Sequence, residues 1–159
     1  MMLGYLHNPE ATLREWRDLW FRTSDRMRVD EDGWFYFAGR STDSIRRGGE
    51  NISALEVENV LNAHPAVSNS AVVAVDSDVY GQEVLAFIEG ASAHHLDSIV
   101  EHCSANLPYF AVPRYFDMVE ELPRTVSEKI DKPALKSRGL HVTAIDRGVV
   151  GRGGERAGS

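Results

Sequence analysis

The sequence predicts an α+β fold: a small three-stranded sheet with covering helices and a β-hairpin loop. Three observations carry that reading. Ser53 and Glu56 have the spacing of a helix-capping box, followed by an apolar i, i+3, i+4 face of Val57, Val60 and Leu61. Ala71 to Val75 is an unbroken apolar run of strand length, as in a strand buried on both faces. Leu96, Ile99, Val100, Cys103 and Leu107 then return at helical spacing and stop at Pro108.

The elements follow in order. Residues 4–20 read as a turn into a helix, with Glu10, Leu13, Trp16 and Arg17 at helical spacing. Phe21 to Thr23 and Met27 to Val29 read as short strands, and Asp32-Gly33 turns the chain into the aromatic strand Trp34 to Phe37. After the capped helix, His64-Pro65 is a stop signal. Val67 to Val75, Val84 to Ile88 and Arg114 to Val119 supply the three strands of the sheet, the first two connected through Gly81. Asp131 is placed to cap a short last helix through Leu135. From Gly139 the chain carries many glycines and no apolar period, so residues 139–159 read as a disordered tail in which Arg147, Arg152 and Arg156 oppose Asp146 and Glu155.

Composition narrows the function. The 159 residues are 43% hydrophobic, enough for one domain with a core and a little extra. A formal charge of -7 disfavours nucleic acid or an anionic membrane as the main partner. The single cysteine, Cys103, excludes an internal disulfide and reads as a buried thiol. His94, His95 and His102 lack the carboxylate or cysteine that would complete a metal set; they read as exposed polar residues, and no metal site is expected. No basic flank or sustained apolar stretch marks a signal peptide or a transmembrane segment. A cytoplasmic protein is the expectation.

The segment Gly39 to Ser53 combines Arg40, Arg46, Arg47, the pair Gly48-Gly49 and a helix start. Glycines admit a ligand close to the backbone, and arginines suit phosphate. A hairpin whose Gly-Gly simply makes the turn explains the same residues equally well. This segment nevertheless resembles the hinge and core motif of the adenylate-forming enzymes, a superfamily that includes acyl-CoA synthetases. Two further segments match in order: Trp20-Phe21-Arg22-Thr23-Ser24-Asp25 resembles the Thr-Gly-Asp motif that precedes the hinge. Leu122-Pro123-Arg124-Thr125-Val126-Ser127-Glu128-Lys129-Ile130 resembles the motif that carries the catalytic lysine. The wording Arg47 to Ser53 is most similar to the acyl-CoA and carnitine-CoA ligase branch.

The resemblance implies a division of labour. Residues 1–40 would close a large N-terminal AMP-binding domain, residues 41–138 would form the C-terminal lid, and Thr42 would be the hinge. Such enzymes activate a carboxylic acid with ATP and Mg, release pyrophosphate, and pass the acyl group to CoA. Lys129 would be catalytic, placing positive charge between carboxylate and α-phosphate; alone it would read as a surface lysine. Asp25 would accept from the ribose hydroxyls and Arg40 would lie near ribose and phosphate. Arg46, Gly48, Gly49, Glu50 and Asn51 would serve the second, thioester-forming step.

Three residues depart from the pattern: Ser24 and Glu128 replace glycines, and Thr42 stands where relatives carry Asp or Lys. A glycine position with φ > 0 would make Glu128 cost about 1–2 kcal/mol. The ATP phosphate loop and the acyl pocket have no counterpart here, so the chain reads as incomplete without its N-terminal domain, in cis or as a separate chain. Alone it is expected to be inactive, with residues 1–40 exposing apolar area that favours self-association. Two alternatives stay open: a non-catalytic binding or regulatory module with this fold, and an adenylation domain serving a carrier protein instead of CoA.

Overall fold

The computed structural model describes residues 4–18, 20–141 and 143–148. Contacts divide the chain into two compact units, the first ending at Thr42 and the second starting at Asp43.

In the first unit, helix α1 (Pro9–Glu15) starts where Asn8 accepts a hydrogen bond from the Ala11 amide and Pro9 takes the first helical position. It is shorter than the periodicity suggests. Trp16–Arg17 (β1) leaves the helix, and with Asp18 in the left-handed region at φ 49° it pairs with Trp20–Phe21 (β2). Tertiary packing of Trp16 on Phe21, ring centroids 5.4 Å apart, overrides the local helical pattern. Asp25–Val29 (β3) and Phe35–Arg40 (β4) form the expected hairpin. Its loop is closed by Asp30 N–H to the Trp34 carbonyl and Gly33 N–H to the Asp30 carbonyl, both 3.1 Å, with Gly33 at φ 84°. Trp20, Trp34 and Phe35 are 80%, 68% and 71% exposed, so the unit carries an uncovered apolar surface.

The second unit holds the core. A short 3-10 turn, Ser41–Asp43, precedes Ser44–Arg47 (β5) and Glu50–Ser53 (β6). Helix α2 (Ala54–Asn62) follows, its Ser53 cap accepting from the Glu56 amide at 3.4 Å. Asn69–Ser77 (β7) and Gly81–Glu89 (β8) pair antiparallel along nine residues. Helix α3 (Leu96–Asn106) crosses over to Tyr115–Val119 (β9), which lies parallel to β8. Helix α4 (Lys132–Arg138) is capped by the Asp131 carboxylate accepting from the Ala134 amide, and Ile145–Asp146 (β10) closes the edge beside β9.

The expected three strands are therefore the centre of a larger sheet. Hydrogen bonding runs β10-β9-β8-β5-β6, with β7 also paired to β8. The hairpin joins this sheet at one point, Arg47 opposite Gly81. Both faces of β8 are covered, which explains its continuous apolar sequence. Val84, Ala86 and Ile88 pack with Val57, Leu61, Ile99 and Cys103 beneath α2 and α3. Leu85 and Phe87 pack with Val73, Leu122 and Leu135 on the opposite side.

Two further sequence expectations are corrected. Structure continues past Gly139: Arg147 donates from Nη2 to the Val112 carbonyl (3.0 Å) and from Nε to the Pro113 carbonyl, which anchors β10; Arg152, Glu155 and Arg156 lie outside the described residues. His102 is half-buried, its Nε2 3.0 Å from the Val60 carbonyl oxygen, because it lies on the side of α3 that meets α2. Among the described residues no helix is long and apolar enough to cross a membrane.

Candidate functional site

Pairing in the β3–β4 hairpin places Asp25 opposite Arg40, and Arg40 Nε donates to Asp25 Oδ1 at 3.1 Å. Just before Asp25, Ser24 takes φ 61°, and its carbonyl accepts from both the amide and the hydroxyl of Ser41, at 2.9 and 3.1 Å. Those bonds fix the end of β4 against the start of β3. Asp25, Arg40 and Thr42 consequently line one cavity of about 570 Å³, together with Tyr5, Arg14 and Arg22. A carboxylate acceptor and several guanidinium donors around one space suit a polyol carrying phosphate.

The second group sits on the β5–β6 hairpin. Arg47 pairs with Glu50, leaving the two-residue turn Gly48-Gly49 with φ of 56° and 94°. Positive φ at both positions is the type I′ requirement, and it explains why two glycines stand there. A Cβ on Gly48 would lie 3.2 Å from the Tyr80 ring, whereas one on Gly49 would meet nothing within 4 Å. The strand's period of two separates the arginines. Arg46 faces solvent with its cross-strand partner Asn51, while Arg47 turns inward on the other face, where its partner Glu50 at the hairpin end is exposed.

Arg47, which the sequence groups with the phosphate-suited arginines of this segment, is turned away from solvent instead. Its guanidinium grips the fully buried Glu83, Nε to Oε2 at 2.6 Å and Nη2 to Oε1 at 3.2 Å, and lies over the Tyr80 ring at 4.5 Å. Arg114 approaches the same carboxylate at 3.8 Å and is itself held by Asp146 at 2.9 Å. The one available signal was Glu83 itself, a charge abutting the apolar run Val84 to Ile88.

Lys129 stands on the third piece. Thr125 N–H donates to the Lys129 carbonyl at 2.7 Å and Glu128 N–H donates to the Thr125 carbonyl at 2.9 Å, closing a three-residue loop. Arg124 pairs with Ile130 beneath it, and Arg124 Nη1 donates to the Glu128 carbonyl at 3.2 Å. Glu128 has φ 61°, so the position at which the resemblance places glycine is left-handed here. Lys129 is exposed, and its ammonium makes no ion pair among the described residues. One step further along, Lys132 binds Glu58 at 2.8 Å and Asp43 at 3.5 Å, tethering α4 to the segment that follows Thr42. Burial pushes the Glu58 carboxyl above its ordinary pKa, with Lys132 and the Val72 amide opposing that rise.

Comparisons with known proteins converge on one family. Residues 56–129 match the profile of the AMP-binding enzyme C-terminal domain. The 2-succinylbenzoate–CoA ligase of a Geobacillus species is 37% identical over 135 residues, covering 84% of this chain and 27% of the relative. The crotonobetaine/carnitine–CoA ligase of Escherichia fergusonii is 38% identical over 136 residues, covering 83% and 26%. Among solved structures, the Bacillus subtilis o-succinylbenzoate CoA synthetase in complex with its acyl-adenylate intermediate has a TM-score of 0.78 at 30% identity, covering 85% of this chain and 28% of that one. The anthranilate CoA ligase AuaEII in complex with anthranoyl-AMP has a TM-score of 0.78 at 34% identity, covering 86% and 28%. This chain thus spans little more than a quarter of the length of these relatives.

Proposed function

The chain belongs to the AMP-binding enzyme C-terminal domain family, and on that premise we propose that it is the C-terminal part of an ATP-dependent acyl-CoA synthetase. The reaction is carboxylic acid plus ATP plus CoA to acyl-CoA, AMP and pyrophosphate, in a cytoplasmic setting. The observation that carries the proposal is similarity to CoA ligases along more than four-fifths of the chain. The exposed Lys129 and the cavity lined by Asp25 and Arg40 are consistent with it.

The first step brings a carboxylate onto an α-phosphate, two anions. An exposed ammonium on a four-carbon stem offsets their repulsion and stabilises the negative charge that develops between them; this is the role of Lys129. Asp25 accepts from the ribose diol while Arg40 holds it and faces phosphate. Rotation at Thr42 then presents the Gly48-Gly49 turn, with Arg46, Glu50 and Asn51, to the acyl-adenylate for attack by the CoA thiol. Gly49, where no neighbour stands within 4 Å of an added Cβ, leaves room for the thin pantetheine arm. The Mg ion that accompanies ATP would be held mainly by the N-terminal domain, through the phosphates and one or two carboxylates.

An N-terminal AMP-binding domain, in cis or as a separate chain, supplies the phosphate loop and acyl pocket. The uncovered Trp34 and Phe35 surface is its natural docking face, and without it that surface favours self-association. The test joins the chain to such a domain and follows each step in single turnover. Lys129→Ala should abolish acyl-adenylate formation yet spare thioester formation from supplied adenylate, while the chain alone should show no ATP–pyrophosphate exchange. Exchange by the chain alone, or equal loss of both steps in Lys129→Ala, would overturn the proposal. Transfer to a carrier protein but not to CoA would move the acceptor assignment.

A further inference from the structure

We propose that the corner Tyr80–Glu83 is a positioning device for the Gly48-Gly49 turn, with Tyr80, Gln82 and Glu83 acting on it as positioning residues. Three successive residues entering the turn are each held by this corner. The Arg46 amide donates to Gln82 Oε1 at 2.8 Å, the Arg47 guanidinium is forked onto Glu83, and the Gly48 amide donates to the Tyr80 carbonyl at 3.0 Å. Tyr80 contributes twice more: its ring lies under the Arg47 guanidinium, and the same ring is what a Cβ on Gly48 would strike.

The geometry matters because little else fixes the turn. Two adjacent glycines are the most permissive backbone in the hairpin, and a two-stranded hairpin is marginal by itself. Ile45 and Ile52 seat the base of the hairpin in the core, but among the described residues its strands pair with the main sheet where Arg47 faces Gly81, next to the turn. Apolar residues at both 47 and 83 would hold the sheet as well as this buried pair does, so net stability is a poor account of the pair. A bidentate guanidinium–carboxylate fork has what an apolar contact lacks, a fixed direction. Glu83 has no exposure, and its charge is shared between Arg47 and Arg114, with Asp146 balancing the second arginine. The fork therefore orients β5 against an immobile acceptor, and the turn inherits that orientation.

The consequence for catalysis rests on the reading that this turn faces the thiol donor. The experiment has two arms so that the two ideas fail separately. Amide hydrogen exchange is measured by NMR on the 159-residue chain and on Gln82→Ala, Glu83→Gln and Arg47→Lys. Exchange at the Arg46 and Gly48 amides should rise about tenfold or more, with amides along the β7–β8 ladder unchanged. Arg47→Lys keeps the charge but loses the fork, so it should behave like Glu83→Gln. Gln82→Ala removes one acceptor at a half-exposed site, so it keeps the test valid if the buried variants fail to fold. Unchanged exchange at the turn, or an equal rise throughout the sheet, would overturn the clamp. In the second arm the same variants are joined to an N-terminal AMP-binding domain. KM for CoA should rise while adenylate formation holds. Loosening of the turn with acyl transfer to CoA unaffected would leave the clamp standing and remove its catalytic role.

Discussion

Replacing Glu128 by glycine tests whether the Lys129 loop is strained. This chain contains its own control. The loops 31–33 and 126–128 are closed by the same two hydrogen bonds, from the residue before the loop to the carbonyl after it and from the third loop residue back to the first carbonyl. That pattern places the third residue in the left-handed region. The first loop uses Gly33 there, at φ 84°; the second uses Glu128, at φ 61°. A side chain in that region costs about 1–2 kcal/mol. Glycine gives back about 0.5–1 kcal/mol through its freer unfolded chain. The balance favours Glu128→Gly by about 0.5–1 kcal/mol, which raises the melting midpoint of the second unit by about 2–4 °C. Far-UV circular dichroism is the appropriate assay, because Trp16, Trp20 and Trp34 all belong to the first unit and would report on the wrong transition. Glu128→Ala removes the carboxylate but keeps the strain, so it should gain nothing. Gly33→Ala should lose a similar amount in the first unit, since a Cβ there meets no atom within 4 Å and only the backbone objects. Equal stabilisation by Glu128→Ala and Glu128→Gly would refute the strain argument and leave charge as the cause. Joined to an N-terminal domain, Glu128→Gly should also raise the adenylation rate.

Three further outcomes are expected. Gly49→Leu should slow thioester formation while leaving adenylate formation intact, measured as separate single-turnover rates; equal slowing would detach the turn from the second step. For Glu58, the folded carboxyl binds its proton more tightly than the unfolded one, so its contribution to stability is complete below about pH 4.5 and falls as pH rises through the raised folded value. Urea midpoints of the native chain relative to Glu58→Gln should therefore decline from pH 4.5 to 8, and a rise would mean that attraction to Lys132 outweighs burial. Burial raises the Cys103 thiol to about 11, so it should resist Ellman's reagent in the folded chain and react fully in urea.

Local patterns carried much of the architecture. The Ser53 cap, the Val57–Leu61 face, the Ala71–Val75 run and the Asp131 cap are all settled within a few residues, and each element stands where its pattern points. The failures have one physical form. Trp16 leaves its helix for Phe21, Arg147 pins β10 to the Val112 and Pro113 carbonyls, and Arg47 finds Glu83 at a separation of 36 residues. In each, a partner outside the local repeat supplies the deciding energy, across a strand pair for Trp16 and from far along the chain for the two arginines, and periodicity has no access to it. The site divides the same way. Arg46, Gly49 and Lys129 are candidates because they sit in recognisable local motifs, and all three are exposed; Arg47, Glu83 and Lys132 are placed by burial and pairing, which no local motif announces.

That division bears on how the lid would work. A domain that offers different faces to successive steps needs loops that keep their shape while the whole body turns. The Gly48-Gly49 turn is anchored by Arg47 on Glu83, and the helix after the Lys129 loop is anchored by Lys132 on Glu58 and, at its other end, by Arg138 3.3 Å from the buried Asp117. Each pair has a buried carboxylate, and removing the cation that reaches it leaves an expensive uncompensated charge. Placing them under the loops, and apolar packing under the sheet, lets the loops remain exposed without becoming shapeless. Asp43, which Lys132 also reaches at 3.5 Å, lies one residue past Thr42. Lys132→Met should therefore loosen both ends of this arrangement at once, whereas Arg138→Met should loosen only the end of α4; hydrogen exchange at Asp43–Ser44 distinguishes them, and equal effects there would show that Lys132 does not anchor the segment that follows Thr42.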